Sequence, residues 1–262
     1  MKLALRGTLA SLAVGGLLVI GSVGSTFAAQ PTTSPITPEV TTGSGARACA
    51  TQRTAARGHS VEKLQALGNC EIDRRLVTIQ VLQDHVSNPN GLTDSDRSAL
   101  QALLTADTTG LTALKAKIDG ETDVTTLRAD IGTIVTGYRI YLLMVPMTAE
   151  VISADSEAAA VGRLTTVAGK LQDRITTELN AGKDVASAQA DLNNMTTSLG
   201  QVNTSTLAGI PTALLALTPA EYNGGTAGPV LKTDHTTLQG FRTSLDAARA
   251  DAVACRAALR AL

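Results

Sequence analysis

Ser60-Val61-Glu62-Lys63 has the Ser-x-x-Lys spacing with which penicillin-interacting enzymes set a nucleophilic hydroxyl one helical turn from a lysine. Ser95-Asp96 and Lys232-Thr233 follow in the matching order. Those enzymes complete the later triplets as Ser-Asp-Asn and Lys-Thr-Gly, the last of them on a strand. Here the third residues are Arg97 and Asp234, and Lys232 opens a helical pattern, so the match fails. Ser60 reads instead as a helix cap after Gly58. His59, His85 and His235 stand alone, with no His-x-x-x-His or Cys-x-x-Cys to hold zinc. Asp94-x-Asp96 lacks the glycine and the bidentate acid of a calcium loop. Neither a Ser–His–acid set nor a glycine-rich phosphate loop is visible. The residues therefore point to no catalytic group, no metal and no cofactor.

Two groupings remain. Tyr138, Arg139 and Tyr141 form the densest polar-aromatic cluster in the chain. Arg139 suits an anionic ligand or partner, with the tyrosine hydroxyls helping; the plainer expectation pairs it with a helix carboxylate while both rings pack. The second grouping is Cys49, Cys70 and Cys255, an odd number, so at least one thiol stays unpaired within a monomer. Gly58 and His59 let a short helix over 46–57 fold back on the next one. Cys49 then lies nine residues before Gly58 and Cys70 twelve after it. That mismatch is roughly 4.5 Å, about one turn, and a modest adjustment brings the pair within bridging reach. Cys255 falls in an apolar seam between Ala252 and Leu259, so the expected bridge is Cys49–Cys70 with Cys255 free.

An oxidising compartment is expected from the other end of the chain. Lys2 and Arg6 precede an apolar run from Leu9 to Ile20, and Thr26-Phe27-Ala28 offers the small-x-small pattern of a cleavage site. Residues 1–28 read as a signal peptide. The rival is an uncleaved anchor over Gly7–Ala29, which Gly15, Gly16, Gly21 and Gly24 weaken as poor helix formers. Residues 29–45, with Pro31, Pro35 and Pro38 among threonines, read as a disordered linker. No later apolar run looks long enough to span a bilayer.

Removing Lys2 and Arg6 leaves 20 basic against 23 acidic side chains, a net charge of −3. So balanced a surface does not capture nucleic acid or anionic lipid electrostatically. Three tyrosines, two phenylalanines and no tryptophan leave few faces for stacking sugars or bases.

From Ala46 onward apolar residues recur every three or four positions, and no segment alternates as a strand does. The chain is expected to be all-α. A first long helix carries Leu64, Gly68, Ile72, Leu76, Ile79, Leu82 and Val86 and ends at Asn88-Pro89-Asn90-Gly91. A second starts near Thr93 with Leu100, Leu104, Leu111, Leu114 and Ile118, and a third starts at Thr122 or Asp123 with Leu127, Ile131, Ile134, Tyr138, Leu142 and Val145. Pro146 follows without a turn signal, so the third helix is expected to kink there and continue through Val151, Ala154, Leu164, Leu171, Ile175 and Leu179. A fifth helix starts at Asp184, residues from about Gly209 to Gly228 look irregular, and a last helix runs from Leu231 to Leu259. Ile140 to Met147 is apolar on every side and belongs where two subdomains meet or where a partner docks. The expected architecture is two three-helix bundles, 46–145 and 146–262, sharing the long helix; a single six-helix bundle is the alternative.

Cys70-Glu71-Ile72-Asp73-Arg74-Arg75-Leu76, Leu127-Arg128-Ala129-Asp130-Ile131 and Tyr138-Arg139-Ile140-Tyr141 running into Pro146 carry one further reading. They resemble stretches of exported helical proteins of uncharacterised activity from high-GC Gram-positive bacteria. The resemblance spans about residues 60–260 and implies no activity; an excess of arginine over lysine, 15 to 7, suits such a source. Two functions are consistent with all of this. One is a secreted or cell-envelope spacer or interaction bundle with a protein partner. The other is a carrier holding a small apolar or anionic ligand between helices near Tyr138, Arg139 and Tyr141.

Overall fold

The computed structural model describes residues 48–57, 60–88 and 91–262. The expected signal peptide, the linker, the Gly58-His59 turn and the pair Pro89-Asn90 lie outside the described residues. Within them the chain is almost wholly helical and shows no strand. The helices are α1 (Ala50–Ala56), α2 (Val61–Ser87), α3 (Asp94–Gly120), α4 (Val124–Thr136), a π-helical turn (Ile140–Met144), α5 (Val145–Asn180), α6 (Ala186–Gly200), α7 (Thr204–Leu215), α8 (Pro219–Asn223) and α9 (Ala227–Arg260).

Most residues of the apolar stripes read from the sequence lie on the buried faces. Leu100, Leu104, Leu111, Leu114 and Ile118 of α3 are all buried, as are Leu231, Leu238, Phe241, Leu245, Ala248, Ala252, Cys255 and Leu259 of α9. α2 and α3 close each other's ends. Gln65 of α2 donates to the carbonyls of Asp119 (3.0 Å) and Glu121 (3.1 Å) at the end of α3. Arg97 of α3 donates to the carbonyls of Val86 and Asn88 at the end of α2. Last-turn carbonyls that a helix cannot satisfy itself are thus taken up by its antiparallel neighbour. Gly68 lets the two approach: a Cβ there would stand 3.0 and 3.1 Å from side-chain atoms of Ile118.

Packing divides the helices into two sets of three. α2, α3 and α4 lie against one another with α1 on α2, and α5, α6 and α9 do the same with α7 on α5. The main packing of α9 is on α6 and α5 rather than on α2.

The bend expected at Pro146 is centred just before it. Gly137 ends α4, Arg139 is left-handed at φ 48 and ψ 34, and Ile140–Met144 form the π-helical turn. Pro146 sits in the first turn of α5. The cause is local: proline has no N–H, and its ring crowds the carbonyl four residues back, that of Leu142. The wider turn relieves the crowding, and the Val145 N–H donates to the carbonyl of Ile140, five residues back. It also resets the helical register. Leu142, placed in the stripe by simple periodicity, is 49% exposed, while Ile140, Leu143, Met144 and Met147 are buried where the two sets meet.

Two further differences have similar causes. α7 runs from before Gly209 into the stretch expected to be irregular, and in it Leu207, Ile210, Pro211 and Leu214 are buried with Pro211 inside the helix. Thr218 and Glu221 form a capping box that opens α8. Near the end of α5, Leu179 is 57% exposed and Glu178 takes the buried position, held by Arg174 and by Lys183 at 2.7 Å. The stretch Val124–Asn180 is long and apolar enough, by length and composition, to cross a membrane. It also carries buried Asp130, Glu150, Asp155 and Glu157 and packs along both bundles.

Candidate functional site

Cys49 and Cys70 stand at disulfide distance, with 2.06 Å between sulfurs and 5.9 Å between Cα atoms. α1 packs against α2, and Cys255 is buried and unbridged on α9. Next to the bridge, Glu71 gathers three arginines. Its carboxylate accepts from Arg53 of α1, from Arg74 at 3.1 Å and from Arg75 at 2.8 Å. Burial alone would raise this carboxyl, but the Arg75 and Arg53 hydrogen bonds and the Arg74 charge outweigh it and hold it below its ordinary value. Tyr141 closes the cluster from the π-helical turn: its ring lies 4.7 Å from the Arg74 guanidinium and 5.3 Å from that of Arg75. The Thr78 hydroxyl is 3.5 Å from the Tyr141 hydroxyl. Two of the sequence stretches singled out above, Cys70–Leu76 and Tyr138–Tyr141, therefore meet at one point.

The other two members of the tyrosine–arginine group go elsewhere. Tyr138 rests on Gly110 of α3, where a Cβ would come within 2.6 Å of its hydroxyl. Burial, and then the charge of Asp107 one turn away, raise the Tyr138 phenol. Burial pushes Asp107 itself up to about 6, and its Oδ2 is buried without a hydrogen bond. Arg139 turns toward α8: its Nε donates to Asn223 Oδ1 at 2.6 Å and its guanidinium lies 5.4 Å from the Tyr222 ring. Asn223 in turn donates to the carbonyl of Thr136 at 2.8 Å. Arg139 thus pairs with an amide, not with the carboxylate expected. Tyr138, Arg139 and Tyr141 face three different elements, α3, α8 and α2 respectively. An open groove runs along α9 past Gln201, Pro229, Lys232, Thr236 and Phe241, and none of the three lines it.

A second polar cluster, between α5 and α9, was not read from the sequence. His235, isolated in sequence, has its Nδ1 3.3 Å from Glu150 Oε1. Further along, Glu157 accepts from Ser153 at 3.1 Å and from Arg242 at 3.3 Å, and Arg242 also donates to Ser153 at 2.6 Å. Burial raises Glu157 more than these partners lower it. Where the two sets of helices meet, Asp155 accepts the Thr93 N–H at 2.7 Å. Spacing held a usable signal for one buried acid: Asp107 fills the gap between Leu104 and Leu111 in the stripe of α3. Residue type hid it, because an acid is ordinarily assigned to water.

Ser60 is the N-cap residue of α2, Ser95 and Asp96 lie in the first turn of α3, and Lys232 lies on α9. Among the described residues no three of His, Cys, Asp and Glu converge as metal ligands. No protein family, curated protein or solved structure matches the chain.

Proposed function

We propose that the chain is an exported, non-enzymatic helical protein of the cell envelope or exterior, working as a spacer or interaction bundle with a protein partner. The observation that carries this reading is how the reactive side chains are used. Glu71 draws in Arg53, Arg74 and Arg75, Tyr141 packs on two of those guanidinium groups, and Arg139 is taken up by Asn223 and Tyr222. The dispersal of Tyr138, Arg139 and Tyr141 onto three elements favours a spacer over a carrier. Export draws its support from the charged and apolar N-terminal pattern, from the small residues before Ala29, and from a cysteine pair at bridging distance. The kinship with exported helical proteins of high-GC Gram-positive bacteria is part of the same proposal.

The test is purification of a tagged chain from its native culture without detergent, followed by mass spectrometry of what accompanies it. A protein recovered in near-stoichiometric amount supports the reading. A small molecule recovered in that amount, lost on Tyr138→Phe or Arg139→Gln substitution, overturns it in favour of a carrier.

A further inference from the structure

Glu150 lies on the face of α5 that packs against α9, and 8% of it is exposed. Its Oε1 meets His235 Nδ1, while its Oε2 is buried without a hydrogen bond. Asp234, the residue before His235, likewise has a buried Oδ2 with no hydrogen bond. The Gln239 amide nitrogen lies 2.9 Å from His235 Nε2. The His235 ring thus faces Glu150, and no lysine or arginine forms an ion pair with Glu150 or Asp234 among the described residues.

The other elements packed against α5 do not supply that charge. α7 has no titratable side chain, and the π-helical turn offers only Tyr141, which lies against Arg74 and Arg75. Of the nearby basic groups on α9, Arg242 goes to Glu157, and Lys232 makes no ion pair with either acid. α6 brings Asp191, whose charge acts on Cys255, and Arg74 and Arg75 of α2 are held on Glu71.

We infer that the α5–α9 seam is a proton-operated joint: a proton held on the Glu150–Asp234 pair lets the two helices close, and its loss sets the buried Glu150 carboxylate against that of half-buried Asp234. This goes beyond the spacer reading and stands without it. Burial first, and then the charge of Asp234, push Glu150 up to about 7, and burial raises Asp234 as well. Because Glu150 is raised in the folded state, its contribution is complete below the ordinary 4.5 and disappears as pH rises through about 7.

The experiment is a set of urea melts between pH 5 and pH 8.5 on the wild type, Glu150→Gln and Asp234→Asn. From pH 5 to pH 8 the wild-type folding constant should fall by on the order of ten- to a hundredfold through this group. Glu150→Gln should remove most of that fall. Asp234→Asn should move it to lower pH, a shift that a purely packing role would not produce. Parallel pH profiles for the wild type and Glu150→Gln would overturn the inference. Should Glu150→Gln fail to fold, carbon-13 titration of the Glu150 carboxyl in the wild type decides: a midpoint near 7 supports the joint, and one near 4.5 removes it.

Discussion

Glu71 and Asp107 sit one helix apart in the same bundle and titrate in opposite directions. Glu71 has three guanidinium partners, so what it contributes is present above its ordinary 4.5 and is lost only in acid. Asp107 has burial and no partner for Oδ2, so its contribution is complete below 3.8 and is lost as pH rises through about 6. Asp107→Asn keeps the shape and removes the charge. At pH 7.5 it should raise the melting temperature by roughly 2–6 °C, and at pH 3.5 it should change little. A lower melting temperature at pH 7.5 would mean that the carboxylate has a favourable partner. At this scale the sequence was partly readable. The cysteine pairing followed from an odd count and the length of a hairpin, whereas the buried acids did not, because periodicity ranks residues by apolarity. Glu150, between Met147 and Val151, looks like a solvent-facing acid until the neighbouring helix is in place.

Between α4 and α5 the backbone holds Arg139 in a left-handed conformation that costs a side-chain-bearing residue about 1–2 kcal/mol. Asn223 holds it there, accepting from Arg139 and closing the end of α4 through the Thr136 carbonyl. Asn223→Ala removes both bonds at an exposed position, and urea melts should show a loss of about 1–2 kcal/mol. An unchanged midpoint would show that the bend is fixed by Pro146 and apolar packing alone. The sequence located this bend to within a turn, since Pro146 was its visible cause. It did not show the reset of register, because that depends on how the chain relieves the crowded Leu142 carbonyl. α7 was lost for the opposite reason: Gly209 and Pro211 were weighted above the three- and four-residue spacing of Leu207, Ile210 and Leu214. The Thr218–Glu221 capping box was readable and was passed over among the turn residues around it.

Two three-helix sets joined by a bent helix should scatter as an extended particle. A chain beginning at Ala46 should give a radius of gyration clearly above the roughly 17–18 Å of a compact globule of its size. A value inside that range would point to the single six-helix bundle instead. The helical class was legible because each stripe is regular over several turns and each turn is marked, as at Asp119-Gly120 and Ala181-Gly182. The polar seam between α5 and α9 was not, since it joins residues about 85 positions apart with no local pattern linking them. The account as a whole rests on an exported chain whose first helix is clamped to its second. The most direct measurement is the intact mass of the secreted protein, alkylated while denatured and without reductant. It should begin at Ala29 and carry one alkyl group, on Cys255. A chain that retains residues 1–28, or that carries three alkyl groups, or that is labelled on Cys49 or Cys70 instead, would contradict it.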